Sequence, residues 1–424
     1  MNSNYCKGGR MVVCFIILFS LTISGCAGPS DQINHDNMKN YSSERNHLTS
    51  ELIDGFKVTQ DFKMADLDMD GNVDLAVLSK YNGLLLIFDL GGKKKIVKQD
   101  EGCFRPVSMA AGDFDSDGRQ EIVVLSEGGL CSYLRINSAD DIEIKKISSP
   151  SAGWMWKLEP VDFKPGCPPG LVGGGNGLLI FFNRGRMEFD NQKIFNHKGT
   201  DKKDDDLLKK VDSEKLAPVL ASLGASRPRN HAGSAWVKHC FKYLKSVNDL
   251  NRDGISEILA LDYCSRDAWL LESEKNKRYS VKHIFHFNNI SPIFGEFISG
   301  QNVPEWVVAC DYPGTVLLLE GVDALRERSA FTLPGRAASA LKTDLNADSV
   351  PDIIVFVENK IIGRPGDIYI FYGVSNNGEY SLLKGPVINT EINSACGLAY
   401  KTPFLGMADY QSGKIQILRK GRDF

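Results

Sequence analysis

Apolar residues occur along the chain in short runs bounded by turn residues, and this spacing predicts strands. Residues 75–78 (Leu-Ala-Val-Leu) and 122–125 (Ile-Val-Val-Leu) are examples, and 258–261 and 353–356 repeat the pattern later. Such runs, flanked by Gly, Asn and Asp, match the length of β-strands, whereas a helix needs about ten to twelve periodic residues. The chain is therefore predicted to be all-β.

A longer unit recurs around these runs: an apolar strand, an acidic loop, a β-branched strand, a turn with glycine and a further apolar strand. The units around Asp162 and Phe294, and the last unit, keep the strands but have lost the acids. The spacing is near that of four-stranded blades, and a closed ring leaves few free strand edges. We predict a β-propeller of about seven four-stranded blades over residues 51–424, with units beginning near 58, 106, 154, 240, 288, 337 and 392.

The spacing is interrupted once, by an insertion at about residues 186–238. Its charge-dense part begins at Asp201, and Leu207, Leu208 and Val211 could form one face of an amphipathic helix. A solvated excursion on one face of the propeller is the favoured interpretation, because loops on a rigid scaffold vary freely. A partner-binding or capping helix is the alternative.

Four units carry an acidic loop: DLDMDGNVD, DFDSDGRQE, DLNRDGISE and DLNADSVPD. Side-chain oxygens at positions one, three, five and nine and the backbone carbonyl at position seven can surround one centre, and Ca²⁺ takes about six to eight oxygen ligands. Without a cation, carboxylates this crowded would raise one another's pKa. The predicted ligands are Asp66, Asp68, Asp70, Asn72 and Asp74 in loop one; Asp113, Asp115, Asp117, Arg119 and Glu121 in loop two; Asp249, Asn251, Asp253, Ile255 and Glu257 in loop three; and Asp344, Asn346, Asp348, Val350 and Asp352 in loop four.

Loop four departs most from the pattern. It has Ser349 where the other loops have glycine, and Pro351 directly precedes Asp352. Asp, Asn and Gly also serve simply as turn residues, which is the alternative for any single loop. Four copies in the same phase favour a metal, which we expect to be structural Ca²⁺ bound with a dissociation constant as weak as ~10⁻⁴ to 10⁻³ M.

The repeats and their loops resemble the FG-GAP or VCBS-type repeats of integrin α-subunit propellers and of many bacterial surface proteins. The resemblance extends from about residue 55 to 421. It implies an integrin-like, calcium-binding β-propeller at a cell surface.

The N-terminal segment predicts export. Lys7 and Arg10 precede an apolar run, 11–23, that is too short to span a bilayer as a mature helix. The sequence Ile-Ser-Gly-Cys ending at Cys26 resembles the lipobox of bacterial lipoproteins, which implies cleavage before Cys26 and a lipid on its thiol. An uncleaved anchor helix is the alternative.

These features divide the chain into three parts. Residues 1–25 are the expected signal peptide, 26–50 a polar and flexible tether, and 51–424 the propeller. The protein would be anchored in the bacterial cell envelope through its N-terminal lipid. Ala27, where an aspartate would resemble an inner-membrane retention signal, favours the outer membrane or the cell surface.

Composition narrows the function classes. The net charge of -3 gives no support for a nucleic-acid partner. The cysteines after Cys26 are scattered without a C-x-x-C pair, which disfavours zinc and thioredoxin-like chemistry, while export permits disulfides of unspecified pairing. They are Cys103, Cys131, Cys167, Cys240, Cys264, Cys310 and Cys396.

No catalytic constellation is visible in the sequence, and no Ser, His and acid set has the context of a triad. His283 and His286 are expected on opposite faces of a strand, which disfavours a joint metal site.

The leading hypothesis is a non-enzymatic surface or adhesion module for a protein or carbohydrate ligand. One alternative is a polysaccharide-active lyase or hydrolase, which needs acids, Lys, Arg or His at the channel mouth. Another is a structural component of envelope assembly, with the insertion as its contact.

Overall fold

The computed structural model describes residues 49–419 except 55–57, 91–93, 98–104, 127–128, 148–154, 164–166, 176–177, 184–188, 196–239, 248, 275–277, 289, 299–303, 323 and 362. The described residues form seven four-stranded antiparallel sheets, which are the blades of a propeller. The predicted all-β fold with seven blades is therefore confirmed. Within the described part of the chain, no helix is long and apolar enough to cross a membrane.

The first strand, β1 (Thr49–Asp54), belongs to the last blade, and the following strands fill the blades in chain order. The strands of blades one to three are β2 (Thr59–Ala65), β3 (Asp74–Ser79), β4 (Gly83–Ile87) and β5 (Lys94–Val97); β6 (Pro106–Gly112), β7 (Glu121–Ser126), β8 (Gly129–Ser138) and β9 (Asp141–Lys146); and β10 (Met155–Val161), β11 (Gly170–Gly175), β12 (Leu178–Asn183) and β13 (Phe189–Phe195). A short 3-10 turn, Phe88–Leu90, follows β4.

Blades four to six repeat this arrangement, and blade seven combines three C-terminal strands with β1. Their strands are β14 (Phe241–Ser246), β15 (Ile258–Asp262), β16 (Asp267–Glu274) and β17 (Arg278–His286); β18 (Pro292–Ile298), β19 (Glu305–Cys310), β20 (Thr315–Glu320) and β21 (Arg326–Thr332); β22 (Arg336–Thr343), β23 (Asp352–Glu358), β24 (Asp367–Asn376) and β25 (Glu379–Asn389); and β26 (Ala395–Lys401), β27 (Phe404–Asp409) and β28 (Lys414–Arg419).

The second strand of each blade explains the short apolar runs. Strands β3 and β7 are buried along their whole length, because neighbouring blades cover both of their faces. A strand covered on both sides loses the alternation of polar and apolar residues that a half-exposed strand shows. The outer strand β9 is by contrast largely exposed.

Packing between blades holds the ring together. The described residues form seven hydrophobic clusters, and each cluster joins residues of two adjacent blades. The first strands of successive blades contact one another around the whole ring, so they line the central channel. Burial of apolar area of this kind stabilises by about 25 cal/mol per Å².

Strand β1 closes the ring by pairing with β28, from Thr49 opposite Arg419 to Asp54 opposite Lys414. Gln416 Nε2 also donates a hydrogen bond to Ser50 Oγ at 2.9 Å. The predicted boundary between tether and propeller, at 50/51, therefore lies inside a strand. The sequence missed this strand because the segment TSELID has only two apolar residues.

The insertion also begins later than predicted. Residues 189–195, which the sequence assigned to it, form β13, the fourth strand of blade three, which pairs with β12. A polar outer strand lacks the apolar run that marks the inner strands, so sequence alone did not distinguish it from an excursion. The rest of the insertion lies outside the described residues, as do the signal peptide, Cys26 and most of the tether.

The closure of the ring through β1 can be tested on Ile53, a buried residue of this strand. Ile53 is 5% exposed and packs between blades seven and one, whereas its neighbour Leu52 is 42% exposed. Ile53→Ala should lower the free energy of unfolding by about 2–4 kcal/mol through lost burial and an unfilled cavity. Leu52→Ala is the matched control and should change it by less than about 0.5 kcal/mol. Equal effects of the two variants in denaturant unfolding would contradict a closure through β1.

Candidate metal centres

The four acidic loops occupy equivalent places in the fold. Each connects the first strand of its blade to the second: β2 to β3, β6 to β7, β14 to β15 and β22 to β23. Because the strands of every blade alternate in direction, all four loops open on one face of the ring. The turns between second and third strands open on the opposite face.

Repeated hydrogen bonds shape the loops. The carboxylate at position one accepts the amide of the sixth residue at 2.7 to 3.0 Å, as between Asp66 and Gly71 or Asp113 and Gly118. The carboxylate at position five accepts the amide of the seventh residue at 2.7 to 2.9 Å. The sequence repeat therefore corresponds to one repeated loop conformation.

Loop four keeps this conformation despite its different sequence. Ser349 has φ +67°, close to the φ +85° of Gly254 in loop three. A non-glycine residue in this region is strained by roughly 1 kcal/mol or more, which the surrounding hydrogen bonds must offset.

Three loops gather acidic oxygens that could hold a metal ion, with one atom from each residue lying within 4.8 Å of the others. They are Asp66, Asp68 and Asp74; Asp113, Asp115, Asp117 and Glu121; and Asp249, Asp253 and Glu257. Asp70, also predicted as a ligand, is not part of the first group and accepts hydrogen bonds from the backbone and side-chain nitrogens of Asn72 at 2.7 and 3.1 Å, so its role as a ligand stays a prediction. Participation of Asn251 and of the carbonyls of Asn72, Arg119, Ile255 and Val350 stays a prediction.

The carboxylate at position nine lies at the start of the second strand, or directly before it in loop three, and its hydrogen bonds divide the loops into two kinds. One of its oxygens always accepts the amide of the second loop residue, at 2.6 to 2.8 Å. Where the residue is glutamate, as at Glu121 and Glu257, the other oxygen is buried without a hydrogen-bond partner. Where it is aspartate, the other oxygen accepts a second amide: Asp89 N to Asp74 at 3.0 Å, and Gly373 N to Asp352 at 2.8 Å.

The buried, unpaired oxygens fit a cation. Asp66 Oδ1 and Asp68 Oδ1 in loop one are in the same state as the glutamate oxygens of loops two and three. Leaving a charged acceptor buried and unpaired costs roughly 1–3 kcal/mol or more, which a bound ion removes. The donor set is all oxygen, which suits a hard divalent cation.

The electrostatics of these loops agree with that geometry. Burial, reinforced by neighbouring carboxylates, raises the pKa of Asp74 to about 6 and that of Glu121 to about 7. Burial likewise raises the pKa of Glu257, with Asp249 and Asp253 adding to the effect. Each loop is therefore destabilised by its own ionisation and would be stabilised by a positive charge.

Loop two also contacts a positively charged side chain of the protein, Arg135. Arg135 forms an ion pair with Asp117, and its Nη1 lies 3.5 Å from Asp115 Oδ2. The guanidinium offsets part of the repulsion but does not reach the unpaired oxygen of Glu121. Arg135 thus competes with an external ion for two of the four acids.

Loop four is the poorest candidate. Its acids do not form one of the three groups gathered within 4.8 Å among the described residues. Asn346 Nδ2 donates to Asp348 at 2.9 Å, and both oxygens of Asp352 are satisfied by backbone amides.

The two histidines do not lie on opposite faces, so that expectation was wrong. The register between β16 and β17 shifts by one residue at Ala268 and Trp269, which cancels the alternation between His283 and His286. Both imidazoles contact Asp267 Oδ1, at 3.0 and 2.8 Å.

The sequence analysis missed a second charged cluster, which lines the channel on the first strands of five blades. Lys157 lies 3.0 Å from Glu159 and 3.9 Å from Asp61, and Lys63 lies 3.8 Å from Glu159. These pairs link blades one and three, although blade two lies between them. In blade two the corresponding position holds the small residue Ser108, whose hydroxyl donates a hydrogen bond to Asp61 Oδ2 at 2.7 Å. The signal in the sequence is a charged residue at every second position, as in Asp61-x-Lys63 and Lys157-x-Glu159.

A second part of the channel cluster centres on Glu296 in blade five. It accepts a hydrogen bond from Tyr243 Oη at 3.0 Å and pairs with Lys342 at 3.0 Å and Lys245 at 3.6 Å. Burial raises the pKa of Tyr243, and the carboxylate of Glu296 adds to this. The channel charges are therefore largely neutralised by one another.

In the blade-one part of the channel, burial alone would raise the pKa of Asp61. The ammonium groups of Lys157 and Lys63 outweigh that effect and lower it. The same lysines lower the pKa of Glu159 against its burial. Both acids are thus held ionised within the network.

No protein-family profile matches the chain. No curated protein matches it. Solved structures do: BBS1N in complex with ARL6DN is 13% identical with a TM-score of 0.54, covering 88% of this chain and 98% of that one. Raptor from Chaetomium thermophilum is 11% identical with a TM-score of 0.55, covering 92% and 30%. A Bacteroides uniformis protein provisionally described as a 6-phosphogluconolactonase is 11% identical with a TM-score of 0.52, covering 88% and 93%. At these identities the similarity shows the fold alone.

Because one oxygen of Glu121 is buried and unpaired, replacing this residue by glutamine should change the free energy of unfolding in opposite directions without and with a divalent cation. In chelator at pH 8, above the raised pKa of Glu121, Glu121→Gln should increase the free energy of unfolding by about 1 kcal/mol, because a neutral amide replaces an unpaired buried charge. In a divalent cation the same variant should be less stable than the parent chain, because loop two loses a ligand. Both are measured by denaturant unfolding.

The control is Glu143→Gln on the exposed strand β9, which should change stability by less than about 0.5 kcal/mol in either condition. A Glu121→Gln variant that is destabilised in chelator, or that keeps the full response to the cation, would contradict a cation site in loop two.

Proposed function

We propose that the protein is an exported, lipid-anchored, calcium-binding propeller that acts as a binding module for a protein or carbohydrate ligand in the bacterial cell envelope. The observation that carries the proposal is the set of buried, unpaired carboxylate oxygens in loops one to three. The lipid anchor rests on the lipobox-like sequence at Cys26.

Calcium is the cation that these loops suit best. Ca²⁺ accepts six to eight oxygens in flexible geometry, whereas Mg²⁺ is smaller and needs near-octahedral geometry. Asp66, Asp68 and Asp74 would hold it in loop one, with Asp113, Asp115, Asp117 and Glu121 in loop two, and Asp249, Asp253 and Glu257 in loop three. The ion would offset much of the negative charge of each loop and fasten the first strand of the blade to the second.

The weak affinity expected of such sites fits an exported protein. Extracellular calcium modules bind with dissociation constants of ~10⁻⁴ to 10⁻³ M, a range in which the ion can act as a permanent part of the structure outside the cytoplasm. This agrees with the signal-like N-terminal segment. Calcium would then be structural, leaving ligand binding to other surfaces.

The face opposite the acidic loops is the best candidate for ligand binding. Tyr312 and Tyr81 are each 69% exposed, and Ile361 and Tyr410 are also exposed. All four lie in turns between second and third strands, on blades five, one, six and seven, which are consecutive in the ring. Tyrosine combines an apolar ring with a polar tip and is enriched at interfaces, and it can stack on sugars. BBS1N illustrates a propeller solved with a protein partner, ARL6DN.

A polysaccharide-active enzyme is the second candidate, and the channel cluster is the observation that favours it. The channel offers acids, lysines and Tyr243, the residue types that such an enzyme needs. We rank it second because these groups are bound to one another. A role in envelope assembly through the insertion is the third possibility.

Calcium titration tests the metal part of the proposal. Adding Ca²⁺ to the chelated protein should raise Tm by roughly 2–5 °C at about 100 times the dissociation constant, with a smaller effect of Mg²⁺. Asp117→Ala should reduce the shift, whereas Asp348→Ala, the same position in loop four, should leave it nearly unchanged. If Ca²⁺ caused no change in Tm, the acidic loops would be simple turns without a bound ion, contrary to the proposal.

The ligand face is tested on a glycan array with the fluorescently labelled protein. The variant carrying Tyr81→Ser, Tyr312→Ser and Tyr410→Ser should lose at least tenfold in signal, because the exposed rings supply the stacking surface. Ile144→Ser and Val387→Ser, which remove exposed apolar residues from outer strands, are the controls. Equal signals from parent and triple variant would place binding elsewhere, and no signal from either would leave a protein as the ligand class.

A further inference from the structure

Two cysteines lie side by side in blade four. Cys240 directly precedes β14, and Cys264 lies in the turn after β15. The amide of Tyr263 donates to the carbonyl of Cys240 at 2.9 Å. The amides of Cys240 and Cys264 both donate to one atom, Asp262 Oδ1, at 2.9 and 3.0 Å. This shared acceptor fixes the two backbones next to each other.

The two thiols also contact each other. Cys264 is exposed and Cys240 is buried. The hydrogen bond between the thiols lowers the pKa of Cys264 and raises that of Cys240, and the ammonium of Lys242 favours both thiolates. The exposed sulfur is thus the better nucleophile, because the thiolate is the reactive form.

We propose that Cys240 and Cys264 form a disulfide bond when the folded protein meets an oxidant of the disulfide class, such as an oxidised dithiol oxidoreductase. The Cys264 thiolate attacks one sulfur of the oxidant's disulfide, forming a mixed disulfide and releasing the other sulfur as a thiolate. The Cys240 thiol then loses its proton and attacks Cys264 Sγ, which expels the second sulfur of the oxidant. Two electrons pass to the oxidant, whose disulfide becomes two thiols, and the two cysteine protons are released to its sulfurs or to solvent.

The bond would complete the closure of one hairpin. Strands β14 and β15 are joined at one end by acidic loop three and would be joined at the other end by the disulfide. It would also fix the start of β14, the first described strand after the insertion, at the end of the blade opposite acidic loop three. The hairpin would then be locked at both ends by different chemistry, a metal site and a covalent bond.

Peptide mapping of the full chain tests the bond directly. Cells are lysed in N-ethylmaleimide, and the protein is digested with trypsin without reductant. Residues 239–242 and 253–266 are tryptic peptides with one cysteine each. We expect them to be recovered as a linked pair that separates on reduction. Cys264→Ser should abolish the pair, and Cys167→Ser, which removes a different exposed cysteine, should preserve it.

A second arm does not depend on export. The full chain, purified in reductant and then incubated with oxidised glutathione, should form the same linked pair. Reductant should afterwards lower Tm by roughly 3–6 °C in the parent chain and leave Tm of Cys264→Ser unchanged. Separate recovery of the two peptides after this incubation would overturn the proposal. A link formed with glutathione but missing from cells would support the cysteine pair and contradict the proposed export.

Discussion

The buried carboxylate at the start of the second strand is the constraint on which each acidic loop depends. It accepts a hydrogen bond from the amide of the second loop residue, which fixes the loop to the strand. To make this bond the carboxylate must be buried and lose its hydration. An aspartate can satisfy both oxygens with backbone amides, whereas Glu121 and Glu257 leave one oxygen buried and unpaired. At this position a single methylene thus separates loops two and three, which each keep one unpaired buried oxygen, from loop four, whose carboxylate is fully hydrogen-bonded. Loop one reaches the same state through Asp66 and Asp68.

The ring supplies the rigid frame that makes this arrangement repeat. Seven clusters between adjacent blades and the pairing of β1 with β28 fix the blades, and the channel ion pairs link first strands that are not adjacent. Because every acidic loop occupies the same connection, the face with the acidic loops and the face with the exposed tyrosines are separated by the full length of the strands. Under the proposed function, ions bound on the first face would leave the second face free to bind a ligand.

The fold was largely predictable from the sequence, because the buried second strands of the blades are short apolar runs and recur with the blade period. Strand β1 was not predictable, since TSELID carries one buried apolar side chain and the paired residues of β28 are 360 to 370 positions away in sequence. The outer strand β13 was assigned to the insertion for a similar reason.

The site was predictable in position but not in detail. The nine-residue pattern located all four loops, and it identified Ser349 as a departure. It did not reveal that Asp70 binds Asn72, that Asp352 is already satisfied, or that Arg135 reaches loop two. The first contact lies within the loop, whereas the other two depend on residues of the third strand of the blade, Gly373 in β24 and Arg135 in β8. The neighbours Cys240 and Cys264 became visible only through the register of β14 and β15, and the shared contact of His283 and His286 only through a shift in register.

Anomalous diffraction from crystals grown in calcium locates each bound ion and so shows whether the buried, unpaired carboxylates of loops one to three hold calcium. We expect peaks enclosed by residues 66–74, 113–121 and 249–257 and none in 344–352. Empty loops two and three at millimolar calcium, or a single ion in loop four, would contradict this expectation.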